Sequence, residues 1–198
     1  MRLRPALLLL LSLFAAALAA AGCATLQEIA ALRLVDFSLG AVAEPRLAGI
    51  DLTRVRSYRD LRPADAIGLA AAVRERKLPF EFTLHVDGAN PADNRSAARL
   101  VNLEWTLFLD DRETVGGQLD REFLIEPGRS VDIPLRIDLD LLKFFKDDLE
   151  KLVGVALGVS GPDGGSRLRL AARPTITTPL GPMRYPGQIT IARRGGAR

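Results

Sequence analysis

Three groups of side chains in this sequence could carry chemistry: a single cysteine, a single histidine, and two aspartates on one predicted strand. A nucleophile triad built on His85 would need a positioned serine and an acid beside it. The chain has no G-x-S-x-G segment to present such a serine. Zinc sites need several nitrogen or sulfur ligands. We therefore expect no catalytic residues, no metal site, no cofactor and no enzyme activity, with His85 facing solvent on a strand.

The aspartate pair could bind a hard cation, because Asp138 and Asp140 share one face of a predicted strand. Asp140 directly precedes the helical stretch LLKFF, a position that suits a helix N-cap. The segment also lacks the spaced oxygen ligands of calcium loops. The glycine-rich GPDGG at 161–165 precedes a strand rather than a helix, so we expect a turn there and no phosphate cradle.

The N-terminus has the three-part layout of a secretory signal peptide over residues 1–22. Arg2 and Arg4 provide the positive start, Ala6–Phe14 is almost entirely apolar, and small residues lead to Gly22. The alternative, a permanent anchor helix, would need about 20 apolar residues, more than this run supplies. We therefore expect cleavage rather than retention.

Cys23 follows the small residues directly, and the segment AAGC resembles the bacterial lipobox. Its one departure is Ala20, where leucine is commonest. With one cysteine in the chain, no internal disulfide is possible. The resemblance implies cleavage between Gly22 and Cys23 and lipidation of Cys23. Two or more acyl chains on that residue would anchor the protein stably in a membrane. By analogy with known lipoproteins, Ala24 favours the outer membrane, with the domain facing the periplasm.

The mature chain would be a nearly neutral single domain. Removing 22 residues from 198 leaves 176, and the two arginines lost reduce the formal net charge from +3 to +1. A chain of this length suits one domain with a sizeable core. Its charges do not concentrate into a basic stripe, so no nucleic-acid binding is expected. The sequence also predicts no small-molecule substrate.

Period-2 alternation of apolar residues predicts about eight strands, and hence an antiparallel β-sandwich. The predicted strand segments are RLVDFSLGAV, AGIDLTRVRSY, LPFEFTLHVDG, LVNLEWTLFLDD, RETVGGQL, SVDIPLRIDL, VALGVS, RLRLAA and GQITIARR. Asp110 and Asp111 should form a hairpin turn, and GPDGG a second one. In the fourth segment, Val101 and Trp105 are expected to face the core.

Two segments have helical rather than strand spacing. The first, over 60–77, places Ile67, Ala70 and Val73 on one face, with Asp60 as its cap and Pro63 in its first turn. The second, over 140–154, carries an apolar stripe and should end at Gly154. We expect this helix to pack across an open end of the sandwich.

A family resemblance covers residues 32–193. The segments HVDGANP, LVNLEWTLFLDDRETVGGQL and EPGRSVDIPLRIDL resemble the late embryogenesis abundant type 2 family, also called the WHy (water stress and hypersensitive response) domain. Asn90 and Pro91 match the start of its Asn-Pro-Asn turn, while Ala92 departs from it. Gly116 or Gly117 matches the glycine after its hairpin. From the residues themselves, the Asn90–Pro91 pair is a structural turn that ends one strand and sets the register of the next.

The resemblance implies an immunoglobulin- or fibronectin III-like sandwich and a role in desiccation or stress protection, without catalytic residues. Outside the range of the resemblance, residues 23–31 are expected to form the lipidated N-terminus and tether, and residues 194–198 a disordered tail. Two functions stay open. One is holdase-like protection of client proteins; the other is an accessory subunit of an envelope transport or secretion assembly, with partners bound through a sheet edge.

Overall fold

The computed structural model describes residues 35–162, 164–178 and 181–193. The predicted signal peptide, Gly22, Cys23, the tether and the tail at 194–198 lie outside the described residues.

The described residues form two antiparallel sheets. The strands are β1 (Asp36–Leu47), β2 (Ile50–Asp51), β3 (Pro79–Ala89), β4 (Ala98–Leu109), β5 (Arg112–Leu119), β6 (Phe123–Ile125), β7 (Ser130–Asp140), β8 (Leu168–Thr178), β9 (Gly181–Arg184) and β10 (Ile189–Ala192). One sheet has the strand order β2-β1-β3-β7; the other has the order β10-β8-β4-β5, with β6 paired to β4 and β9 to β8. The prediction of a mainly β, antiparallel sandwich is confirmed.

The core lies between the sheets and is built from alternating residues of both. In β3 and β7 the predicted faces are confirmed, because every second residue is buried. The buried residues of these two strands are Phe80, Phe82, Leu84, Val86, Ile133, Leu135, Ile137 and Leu139. They form one apolar cluster with buried leucines of the opposite sheet, among them Leu103, Leu107 and Leu170.

Strand β4 departs from simple alternation near its start. The register with β8 shifts between Leu100 and Asn102. Such a bulge inserts an extra residue and changes which side chains face inward. Leu100 is therefore buried and Val101 only half-buried. Trp105 keeps its inward position but is also only half-buried, so the prediction that it lies in the core is only partly correct.

The hairpin between β4 and β5 forms at the two aspartates, as predicted. Asp110 and Asp111 both have positive φ, of 50° and 59°. Two consecutive left-handed residues match the type I′ turn, whose twist suits a two-residue hairpin. By contrast, the second predicted strand is confined to Ile50 and Asp51.

The first helix, α1 (Pro63–Arg74), starts at the predicted proline but buries a different face. Its only fully buried side chain is Leu69, whereas Ile67 is 72% exposed. Asp60 does not cap α1. Its carboxylate accepts backbone hydrogen bonds from Arg56 and Ser57, at 3.1 and 2.9 Å, in the preceding 3₁₀ turn. These two bonds hold the pKa of Asp60 below its usual value.

The second predicted helix is two helices, α2 (Leu141–Phe144) and α3 (Leu149–Ser160). Asp148 starts a new helix by accepting a 3.0 Å hydrogen bond from the Lys151 backbone N–H, which lowers the pKa of Asp148. Gly154 lies inside α3 and does not end it; the residue is exposed, and a β-carbon there would meet no heavy atom within 4 Å.

The segment VALGVS is therefore helical and not a strand, which is a further correction. Its buried residues continue a helical stripe comprising Leu152, Val153, Ala156 and Val159. The hairpin predicted at GPDGG is also wrong. Of that segment, Asp163 lies outside the described residues, and a 3₁₀ turn at Gly164–Arg167 leads from α3 into β8.

Candidate functional site

In the part of the chain that the structure describes, the candidate functional features are a buried asparagine cluster, the outer face of one sheet, and the edges where the two sheets meet. No helix of the described residues is long and apolar enough to cross a membrane. Nor do three or more described histidines, cysteines, aspartates or glutamates lie together as a group that could hold a metal ion.

Asn90 is the centre of the asparagine cluster. Strand β3 ends one residue before it, and its side chain is 2% exposed. Its Nδ2 donates to the carbonyls of Ile125 and Ser96, at 2.8 and 3.1 Å. Its Oδ1 accepts from the Asn94 amide at 2.6 Å. One side chain thus connects the end of β3, the approach to β4 and the end of β6.

The backbone of the same turn is tied to the β6–β7 connection. The Asn90 N–H donates to the Arg129 carbonyl at 2.9 Å, and the Gly128 N–H donates to the Asn90 carbonyl at 2.8 Å. Pro91 accepts from the Asn94 N–H at 3.1 Å. Sequence reasoning singled out Asn90 and Pro91 but missed Asn94. The sequence feature that could have identified Asn94 is a second asparagine four residues after the first, in NPADN.

His85 lies on the outer face of the first sheet, beside Asp132. Its Nδ1 is 2.8 Å from the Asp132 Oδ2, and the two side chains are 30% and 51% exposed. The predicted solvent-facing position is therefore a partly exposed one, with an acidic partner on the neighbouring strand.

The other predicted aspartates serve different roles. Asp140 is the N-cap of α2, as expected, and accepts from the Leu142 N–H at 3.2 Å. It also accepts from the Leu78 N–H at 2.9 Å, so it joins the start of β3 to the end of β7. Asp138 is exposed and lies opposite Glu81 in the register of the two strands.

The outer face of the first sheet is a shallow, charged surface of both signs. A depression of about 510 Å³ lies on it. We call this surface the charged face and define it by Glu44, Arg46, Glu81, Thr83, Arg136 and Asp138. All except the half-buried Thr83 are exposed.

On one side of the sandwich, the edge strands are β7 in the first sheet and β5 in the second; on the other side they are β2 and β10. Pro134 lies within β7 and has no N–H to donate to an added strand, which makes β7 a poor template. Strand β5 is bulged opposite Leu107, where the Thr114 hydroxyl donates to the Leu107 carbonyl at 2.9 Å. Beyond that bulge, Gly116 and Gly117 leave the β5 backbone uncovered by their own side chains.

Between the edge strands β5 and β7 runs a groove of about 440 Å³. We call it the Trp105 groove and define it by Trp105, Leu119, Arg121, Pro134, Leu135 and Arg136. Its residues come from β4, β5, β7 and the β5–β6 connection.

A second apolar area lies at the helical end, where Phe144 is half-buried. Its carbonyl accepts a hydrogen bond from Arg112. The guanidinium of Arg112 also lies 5.1 Å from the centre of the Phe145 ring, within the range of a cation–π contact. The flank around Phe144 is thus partly covered by β5.

Comparison with known proteins yields only distant structural similarity. Neither a protein-family model nor a curated protein sequence matches this chain. Among solved structures it is similar to a structural-genomics target, with a TM-score of 0.38, 9% identity and coverage of 84% of this chain and 92% of that one. It is similar to a candidate late embryogenesis abundant (LEA) protein, with a TM-score of 0.34, 12% identity, and 92% and 85% coverage.

A third similar structure is a candidate ApaA protein from Bordetella pertussis, with a TM-score of 0.32, 13% identity, and 80% and 94% coverage. All three scores lie below 0.5 and establish no shared function. The architecture of this chain rests on its own strand pairing.

Proposed function

We propose that this protein is a lipid-anchored, non-catalytic protein of the outer membrane. Its sandwich domain would face the periplasm and limit the aggregation of other proteins during drying or heating. The lipobox-like AAGC segment supports the anchor, and the WHy resemblance over 32–193 supports the protective role.

The observation that carries the protective proposal is the charged face. Drying concentrates every solute, so a protective protein must itself stay dissolved at high concentration. Exposed charges of both signs keep a surface hydrated and discourage self-association. On this sheet they occupy the outward positions of β1, β3 and β7. The proline in β7 also discourages edge-to-edge pairing of two copies.

The anchor is tested by Cys23→Ser, which removes the thiol that would be acylated. We expect a precursor that is neither lipidated nor cleaved by the lipoprotein peptidase, measured by mass spectrometry and membrane fractionation. Ala24→Ser is the matched control and should still be processed. A Cys23→Ser protein that still fractionates as a mature, detergent-extracted membrane protein would refute the lipobox interpretation.

Protection is tested with the soluble domain, Ala24 to Arg198, and a labile enzyme carried through drying and rehydration. We expect the domain to suppress light scattering without ATP and at near-equimolar ratio, because client contacts would be weak and tolerant of client identity. Albumin at equal mass is the control. A domain that performs no better than albumin has no protective activity of this kind.

A variant with three charged side chains neutralised tests whether the activity depends on the charged face. The triple change Glu81→Gln, Arg136→Gln, Asp138→Asn removes three charges from the charged face. Glu75→Gln, Asp93→Asn, Arg95→Gln removes the same signs from exposed positions elsewhere. We expect only the first variant to aggregate with the client at high concentration. If the two variants aggregate with the client to the same extent, protection does not depend on the charged face.

The second candidate function is an accessory subunit of an envelope assembly. The free edge of β5 beyond its bulge favours it, since exposed backbone is what an added strand pairs with. Extraction in mild detergent separates the two proposals. A stoichiometric co-purifying partner supports the assembly, whereas its absence leaves protection as the better explanation.

A further inference from the structure

We propose that the Trp105 groove binds a small organic carboxylate with an apolar, preferably aromatic, body. This inference does not depend on the protective function. It rests on an accessible apolar floor, on two guanidinium groups beside it, and on the absence of ion pairs to those groups among the described residues.

The floor of the groove is set by Trp105 and by a glycine opposite. Trp105, Gly117 and Leu119 share the inward face of their sheet, since Trp105 pairs with Gly117 and Leu103 with Leu119. A β-carbon at position 117 would lie 2.5 Å from the Trp105 Cζ2. Glycine therefore allows the indole ring to lie against the β5 backbone. Trp105 and Leu119 stay half-buried, whereas their neighbours Leu103 and Leu107 are fully buried.

The indole also offers a hydrogen-bond donor to a ligand. No described residue accepts a hydrogen bond from the Trp105 N–H, the one polar group of that side chain. A tryptophan usually finds a partner for this donor when it is buried. Here the half-exposed ring combines an apolar surface with a donor that a bound oxygen could satisfy.

Charge complementarity identifies the ligand as an anion. Arg121 and Arg136 line the groove and are exposed. The Arg121 guanidinium lies 5.3 Å from the centre of the Phe123 ring, and neither Arg121 nor Arg136 forms an ion pair with any residue that the structure describes. Guanidinium groups bind carboxylates through paired, charge-assisted hydrogen bonds.

Three acids near these arginines have other partners. Asp120 accepts hydrogen bonds from Asn102 and Gln118. Glu122 pairs with Arg99, and Asp132 pairs with His85. Two more, Glu81 and Asp138, share the outward face of the sheet with Arg136, but neither forms an ion pair with it among the described residues. Neither arginine of the groove therefore forms an ion pair within the part of the chain that the structure describes.

The size of the groove limits the ligand to a small molecule. Its volume of about 440 Å³ lies within the usual range of small-molecule sites, about 300–1,000 Å³. Because the groove is open to solvent, much of the ligand would stay hydrated. We expect a dissociation constant on the order of 0.1–1 mM for a ligand of about a dozen heavy atoms.

The single tryptophan of the chain reports directly on this groove. The experiment is a fluorescence titration of the full chain in a nonionic detergent with 4-phenylbutyrate. The neutral 4-phenylbutanol and the cationic 4-phenylbutylamine serve as matched probes. We expect saturable change with the carboxylate, at least about tenfold weaker binding of the alcohol, and no saturable binding of the amine.

Variants separate the site from partition into detergent. Arg121→Gln with Arg136→Gln should weaken carboxylate binding about tenfold or more, with the circular dichroism spectrum unchanged. Arg46→Gln, an exposed arginine of the charged face outside the groove, should leave the affinity unchanged. Equal binding of acid and alcohol, or no effect of the double variant, would overturn the proposal.

Discussion

Replacing Phe80 with alanine should lower the free energy of unfolding by about 3–5 kcal/mol, whereas Trp105→Ala should cost only about 1–2 kcal/mol. Phe80 is fully buried, and its ring centre lies 4.9 Å from that of Phe82. Removing it leaves a cavity that a close-packed core cannot collapse to fill. Trp105 is the larger side chain, but its ring is half-buried at the groove.

Urea unfolding followed by circular dichroism measures both changes on one scale, and it does not rely on the tryptophan that one variant lacks. The comparison is sharp because alternation in the sequence places both residues on inward faces. A cost for Trp105→Ala equal to that for Phe80→Ala would show that the ring is fully enclosed in solution. The groove would then be closed to ligands.

Asn90→Ala should lower the free energy of unfolding by about 2–4 kcal/mol. The change removes two donated hydrogen bonds and one accepted one. The buried carbonyl of Ile125 then loses the donor that Asn90 supplies, and such a loss costs about 1–3 kcal/mol. Thermal and urea unfolding both measure the effect.

Two further variants test the cause. Asn90→Asp keeps the size but replaces a donor with an oxygen that faces the Ile125 carbonyl, so it should be at least as destabilising as alanine. Asp93→Ala, at an exposed position in the same loop, should change stability by less than about 0.5 kcal/mol. A neutral effect of Asn90→Asp would mean that the amide group does not hold this turn.

Local pattern predicted the parts of the fold that depend on local chemistry. Strands β3 and β7 alternate strictly, because each has one buried face, and the turn at Asp110 tolerates positive φ. The segment VALGVS was misread because valine-rich residues suit a strand as well as a buried helix. The helix is distinguished from a strand only by the helical spacing of the buried residues from Leu152 to Val159, which pack against the core.

The features of the candidate site were less predictable than the fold. The half-exposure of Trp105 depends on β4 lying beside the edge strand β5, which is a property of strand order and not of alternation. Arg121 and Arg136 come together only because β5 and β7 belong to facing edges of different sheets. The partnership of Asn90 with Ile125 likewise spans 35 positions of sequence.

The pairing of β4 with β8 also sets the order in which the chain can fold. Leu109 pairs with Leu168 and Leu100 with Ile176, so the partners lie 59 to 76 positions apart. Such long loops must close before the strands that they join can make contacts, and closing them lowers the entropy of the chain. For this reason β-sandwiches fold slowly, in milliseconds to seconds. The first sheet is complete in sequence by Asp140, whereas β8 and β10 of the sheet that covers its apolar face come last. A chain synthesised from its N-terminus can therefore cover that face only in part, with β4 and β5, until β8 and β10 are added, and exposed apolar surface of this kind favours aggregation.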